Sequence, residues 1–212
     1  MPSADRRRFL LLTAFISGMS IMALEMSASR LLAPYFGTSL FVWTNIIGVT
    51  MISLSIGYYY GGRIADRRPE RGLLYRALAA TGGYSVLIPF VAPFVMGYSV
   101  KAIRTGSAGI FYGSLLATIL LFAPPLTALG GVAPFIIRLF GSEQKKAGGT
   151  AGSVFSVSTI GSIIGTFLPV LLTIPFLGTK RTIILFGTLL VVVGLSGLER
   201  KRYAALALLI LG

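Results

Sequence analysis

The sequence predicts an all-α integral membrane protein, with six transmembrane helices, the start of a seventh and a cytoplasmic N-terminus. Three observations carry that prediction. The 212 residues are 55% apolar and only 12% charged, whereas soluble domains carry about 25% charged residues. Apolar runs long enough to cross a hydrocarbon core of ~30 Å recur along the whole chain. The cations then gather in alternate loops, which is how a multi-pass protein records its orientation.

The first predicted helix spans about Phe9 to Ala33, behind Arg6-Arg7-Arg8. Its apolar run is about 25 residues, too long for the ~7–15 of a cleaved signal, so it reads as a retained signal-anchor. Pro34 is expected to end it, because proline brings no N–H and clashes with the preceding turn. The second helix spans about Leu40 to Gly62, with Trp43 and Tyr58-Tyr59-Tyr60 at the two headgroup levels as an aromatic belt. The third runs from about Leu73 to Tyr98 and contains Pro89 and Pro93. The fourth, about Ile110 to Ile137, is interrupted at Pro124-Pro125 and again at Pro134. The fifth runs from about Thr150 to Leu177. Lys180-Arg181 form a lead into the sixth, about Thr182 to Leu198. A basic loop (Glu199 to Arg202) and an apolar segment (Tyr203 to Gly212) follow. Ten residues make about 15 Å of helix, too little to cross, so either the chain stops there or a downstream part has been lost.

With the N-terminus inside, fourteen of the nineteen Lys and Arg fall on inner segments and five on outer ones. The formal charge of +13 is therefore a topology signal and an attraction to anionic lipid, and the expected partner is the bilayer rather than nucleic acid. Without cysteine or histidine, disulfides, thiolate or imidazole metal ligands and the usual general base are excluded. Neither a metal, a cofactor nor a catalytic residue is expected.

Within this apolar chain a few polar residues need a reason. Glu25 lies about 24 Å into the first helix by its ~1.5 Å rise, in the outer half of the bilayer. A charge there costs roughly 2.5–3.5 kcal/mol on insertion scales. It should face the bundle, be protonated, or meet a donor from another helix, for which Asn45 and Thr44 on the second helix are candidates by depth. It is either a cation or proton site or an interhelical hydrogen bond. Arg30, about 140° further round, can snorkel outward. Pro124 and Pro125 deny N–H donors to Leu120 and Leu121, which fits either a substrate pathway or a packed kink. Gly57-x3-Gly61 and Gly161-x3-Gly165 are small-residue packing faces, the second extended by Gly152, Ser156 and Thr159. A three-plus-three repeat (9–98 and 110–198) is expected, matching Arg30 with Arg138 and 44–48 with 158–162.

Two resemblances follow from these motifs. Gly62 to Arg71 resembles the loop between helices two and three of major-facilitator transporters, whose signature is G-x-L-A-D-R-x-G-R-R/K. Gly62, Ala65, Asp66, Arg67 and Arg71 match, and Pro69 replaces a glycine. In that family the Asp and Arg help latch helices on the cytoplasmic side, and an Asp near helix ends can accept backbone N–H bonds and pair with Arg. The other reading is a generic basic loop.

More broadly, the chain resembles the N-terminal membrane region of membrane-fused spermidine synthase-like proteins. The pattern E-x4-R-x3-P-x-F-G-x-S-x3-W covers Glu25 to Trp43, and the likeness continues through the Asp66-Arg67 loop, Pro124-Pro125, 152–166 and 174–182. It implies a major-facilitator-like bundle followed by an aminopropyltransferase domain that acts on putrescine or a similar amine. No Gly-rich nucleotide loop, strand–helix alternation or counterpart of the catalytic aspartates is present. Aminopropyl transfer is therefore expected of a separate or downstream domain, not of these residues. The expected role is a membrane module in polyamine or small-cation metabolism, in a prokaryotic plasma (inner) membrane. The alternatives are a half-sized transporter working as a homodimer and a purely structural scaffold.

Overall fold

The computed structural model describes residues 4–102, 106–141 and 147–198, and among them every regular element is helical. In chain order these are α1 (Ala4–Phe36), α2 (Leu40–Arg67), α3 (Arg71–Ala102), α4 (Gly106–Gly130), α5 (Val132–Leu139), α6 (Ala147–Leu168), a π-helical turn (Pro169–Thr173), α7 (Ile174–Leu177) and α8 (Thr179–Leu198). Helices α4 and α5 form one span, as do α6, the π turn and α7, so six segments are long and apolar enough to cross a bilayer. The basic loop 199–202 and the seventh segment lie outside the described residues, as do Arg104, Lys145 and Lys146.

Several expected boundaries move, each for a local reason. Pro34 does not end α1, because a proline in the last turn removes only one helical bond. The helix closes at Gly37 instead, whose φ of 75° lets its N–H return to the Ala33 carbonyl at 2.9 Å. Helix α2 runs on through Gly62 to Arg67, so the motif expected to be a loop is mostly helix. The fourth span is helical through Pro124 and Pro125 and breaks later, at Gly131. Lys180 and Arg181 belong to the first turn of α8 rather than to a connection.

Glycine decides how the spans meet. A methyl group added at Gly161 or Gly165 of α6 would fall onto the carbonyls of Phe15 or Met19 of α1. One added at Gly57 or Gly61 of α2 would strike Thr127 or Gly131. Gly82 of α3 and Gly187 of α8 lie against one another's carbonyls, and Gly194 against Ala79. In lipid there is no hydrophobic gain from bringing two apolar helices together, so close backbone approach and its dispersion contacts do that work. The two predicted glycine faces are thus in use. Gly152, Ser156 and Thr159, however, are exposed and do not extend the second one.

These seams make α1–α6, α2–α4 and α3–α8 the most intimate pairs. Exchanging the first three spans for the last three maps that pairing onto itself. The residue register differs from the one expected. Equating Gly57 with Gly161 places 44–48 opposite 148–152, and equating Thr127 with Phe15 places Arg138 opposite Met26. Under that exchange Arg30 does not fall opposite Arg138, nor 44–48 opposite 158–162.

The perimeter is apolar. Phe94 is 80% exposed and Phe176 78%, alongside Phe90, Phe167 and Leu171. So large an apolar exterior is stable against hydrocarbon, not water.

Alanine at the seams and away from them should have opposite effects. Helical Gly→Ala normally stabilises by roughly 0.5–1 kcal/mol, and Gly48→Ala, with open space around it, should do so or be neutral. Gly161→Ala should instead lower the unfolding temperature in detergent, by overpacking worth about 1–3 kcal/mol. Equal shifts for the two variants would contradict the seam.

Candidate functional site

Helix α1 is the most enclosed span, with 61% of its apolar window buried. It therefore holds Glu25 away from lipid: the residue is 5% exposed and its Oε2 has no hydrogen-bond partner among the described residues. The two donors expected by depth do not reach it. Asn45 donates through Nδ2 to the Phe111 carbonyl at 2.8 Å and to Ser114 Oγ at 2.9 Å, binding α2 to α4. Thr44 donates to its own helix at the Leu40 carbonyl. Asn45 is thus an interhelical fastener, a role worth about 0.6 and up to 1.7 kcal/mol in membranes.

Most buried hydroxyls in the bundle satisfy themselves on the preceding turn, as Thr81, Ser85, Ser99 and Thr118 do. Ser17, Ser20 and Ser27 of α1 and Thr50 of α2 do not, and their oxygens are buried without partners. At about 100° per residue the three serines share one face, but Glu25 projects roughly 140–160° away from Ser20 and Ser27. They do not converge on the carboxylate.

What stands level with Glu25 is the π turn. Glu25 shares a face with Gly18, two turns earlier, which packs on Ser158 of α6 and whose carbonyl accepts a bond from Ser162 Oγ at 3.1 Å. Helices α1 and α6 run parallel with Phe15 beside Gly161 and Met19 beside Gly165. Continuing that register for six residues brings Glu25 to the level of Leu171, inside Pro169–Thr173, and α1 packs on this turn. Pro169 offers no N–H to Gly165, and Pro175 none to Leu171, while the Ile174 N–H reaches the Pro169 carbonyl across five residues. The inner side of the turn is formed by buried Pro169 and half-buried Thr173, which accepts a bond from the Thr182 hydroxyl at 3.1 Å. A carboxylate level with proline-interrupted backbone is a set of acceptors. The turn was not anticipated; the paired prolines in P-V-L-L-T-I-P were its only trace in sequence.

The other candidates separate. Pro124 is exposed and Pro125 buried, with no irregular backbone at the pair. The Leu120 carbonyl, to which Pro124 brings no N–H, accepts a bond from the Tyr84 hydroxyl of α3 at 2.6 Å. Tyr84 thus gives the Leu120 carbonyl a donor within a helix that stays regular through both prolines. Arg30 is exposed in the last two turns of α1.

At the opposite end, Asp66 pairs with Arg138 at the end of α5, 3.1 Å from Nε to Oδ1. No backbone N–H serves Asp66, because it occupies the last turn of α2, where carbonyls and not N–H groups are free. With Asp66 71% and Arg138 39% exposed, the pair is worth at most about 1 kcal/mol. Gly62 faces Pro134 of α5. Arg67 and Arg71 make no ion pair among the described residues. Arg71 instead lines a cavity of about 720 Å³ with Asp5, Arg6, Arg8 and Tyr75. Arg138, matched in the sequence with Arg30, is the ion-pair partner of Asp66.

The protein is thus a multi-pass helical membrane protein. No family model matches the chain, and neither a curated protein nor a solved structure does so.

Tyr84→Phe should lower stability in micelles by about 0.6–1.7 kcal/mol, the range of such bonds in membranes. In a Pro124→Leu background, which returns an N–H to Leu120, the same change should cost less than half as much. A double-mutant cycle measures both, and additive effects would break the link between the two residues.

Proposed function

We propose that this chain is the membrane module of a spermidine synthase-like protein, and that it holds a small cation at Glu25, a protonated amine or a proton. The observation that carries the reading is the buried Glu25 carboxylate, with Oε2 unpartnered and level with the Pro169–Thr173 turn. Carboxylate and backbone oxygens at broken helices are what membrane proteins use to replace the hydration of a cation. On this reading aminopropyl transfer belongs to a separate or downstream domain that acts on the same class of amine. Its orientation would place the N-terminus, with the arginines of Arg6–Arg8, Arg63–Arg71 and Arg138, on the cytoplasmic side of a prokaryotic inner membrane.

A second reading is a half-sized major-facilitator-like transporter that completes its pathway as a homodimer. The self-mapping pairing of the two triplets of spans favours it, because each six-helix half of such transporters is a three-plus-three inverted repeat.

The test is Glu25→Gln in the full chain. Radiolabelled putrescine should bind the wild-type protein in detergent and be lost, about tenfold or more, in the variant, with an unchanged unfolding temperature. A variant that binds as well as wild type removes Glu25 from the site. If the variant loses stability and neither protein binds the amine, the residue is structural. Uptake into proteoliposomes separates the two readings, since only the transporter moves the amine across the membrane.

A further inference from the structure

The end of the bundle away from the N-terminus carries a cavity of about 500 Å³ between the last turns of α1, the Pro89–Pro93 stretch of α3 and the start of α8. Three of its lining residues, Arg30, Lys180 and Arg181, are cations. The remaining wall is mostly apolar, with Leu31, Ala92 and Leu177 among its residues.

Among the described residues nothing at this end balances those charges. The sequence has no Asp or Glu in 26–65, 71–142 or 144–198, the stretches that supply every described segment at this end. None of the three cations makes an ion pair among the described residues. Glu25 lies about one and a half turns deeper than Arg30 and ~140° around α1, and it is buried. The contrast with the other end is direct: there Arg138 has Asp66, and Arg63 lies over the Tyr59 ring at 4.1 Å.

The start of α8 adds to the same field. Gly178, at φ 83°, precedes the helix and brings no side chain to cap it. The N–H groups of the first turn have no intrahelical acceptor, and they carry the positive end of a 20-residue helix. Donors and cations therefore meet in one concave site, against the expectation that outer loops are poor in Lys and Arg. Exposed Tyr35 on the wall, with Phe94 and Phe176 on the neighbouring lipid face, gives an apolar surface beside the charged one.

We infer that this cavity binds a phosphate-type anion, either the headgroup of an anionic phospholipid or a free phosphate. The cations supply charge-assisted donors to its oxygens, and the exposed aromatic and leucine side chains take the acyl chains when the source is a lipid. The inference stands on the distal cavity and does not depend on the function proposed for Glu25.

Native mass spectrometry of the full chain, with phosphatidylglycerol or phosphatidylcholine titrated into the micelle, tests it together with thermal unfolding in added inorganic phosphate. Retention and stabilisation by phosphatidylglycerol alone identify a lipid headgroup; equal stabilisation by inorganic phosphate identifies a free anion. Either supports the site provided that Arg30→Gln/Lys180→Gln/Arg181→Gln weakens the effect by about tenfold or more, and that Arg63→Gln/Arg68→Gln, at the other end, does not. The substituted residues are all exposed, so the variants should fold, as circular dichroism will verify. The inference is overturned if neither probe binds, if phosphatidylcholine serves as well as phosphatidylglycerol, or if the triple variant binds like wild type.

Discussion

Direct backbone contact at three glycine seams is the constraint on which the rest of the structure depends. Lipid tails are as apolar as the helices they surround, so removing leucine or phenylalanine from them gains little. Helices that touch at Gly57 and Gly61, at Gly161 and Gly165, and at Gly82 with Gly187 gain dispersion at short range and fix their register to within a residue. That register brings Glu25 level with Pro169–Thr173. It also seats α8 so that Lys180 and Arg181 join Arg30. A seam shifted by one residue would turn each of these faces by about 100°.

The second constraint is that backbone polar groups in hydrocarbon must find partners. Proline breaks it at several points within the spans, and the responses differ. At Pro34 the helix is about to end. At Pro124 the Tyr84 hydroxyl takes the place of the missing N–H. At Pro169 the helix widens into a π turn, its hydrogen bonds reaching over one more residue. Only the last alters the hydrogen-bond pattern inside a span, at the level of a buried carboxylate. Hydroxyls elsewhere fold back on their own helices, whereas Ser17, Ser20, Ser27 and Thr50 keep unused bonding capacity along α1 and α2.

Charge divides the protein into two unlike ends. The N-terminal end mixes arginine with Asp5, Asp66 and Glu70, and there the cations have acids and aromatic rings beside them. The distal end is purely basic and concave. Between them sits a single carboxylate. A bundle organised in this way has an interior that favours cations and a rim that favours anions, separated by less than the thickness of one leaflet.

How much of this was legible in the sequence follows from the physics of each part. Six spans, their order and the asymmetry of their charge are determined by the chain alone, because hydropathy and loop charge are summed over many residues and survive local error. The burial of Glu25, the exposure of Arg30 and the two glycine faces were readable for a similar reason: each is costly or useless elsewhere in a bilayer. Pairings were not. Asn45 and Glu25 are compatible by depth, but rotation about each helix axis decides which side chains meet, and that rotation is set by seams between residues far apart in sequence. For the same reason Asp66 met Arg138 rather than backbone, Tyr84 met Leu120, and the fourth span broke at Gly131 instead of at its prolines. Sequence by itself determined which residues needed partners; only the packed structure, by fixing how each helix turns against its neighbour, decided which partners they received.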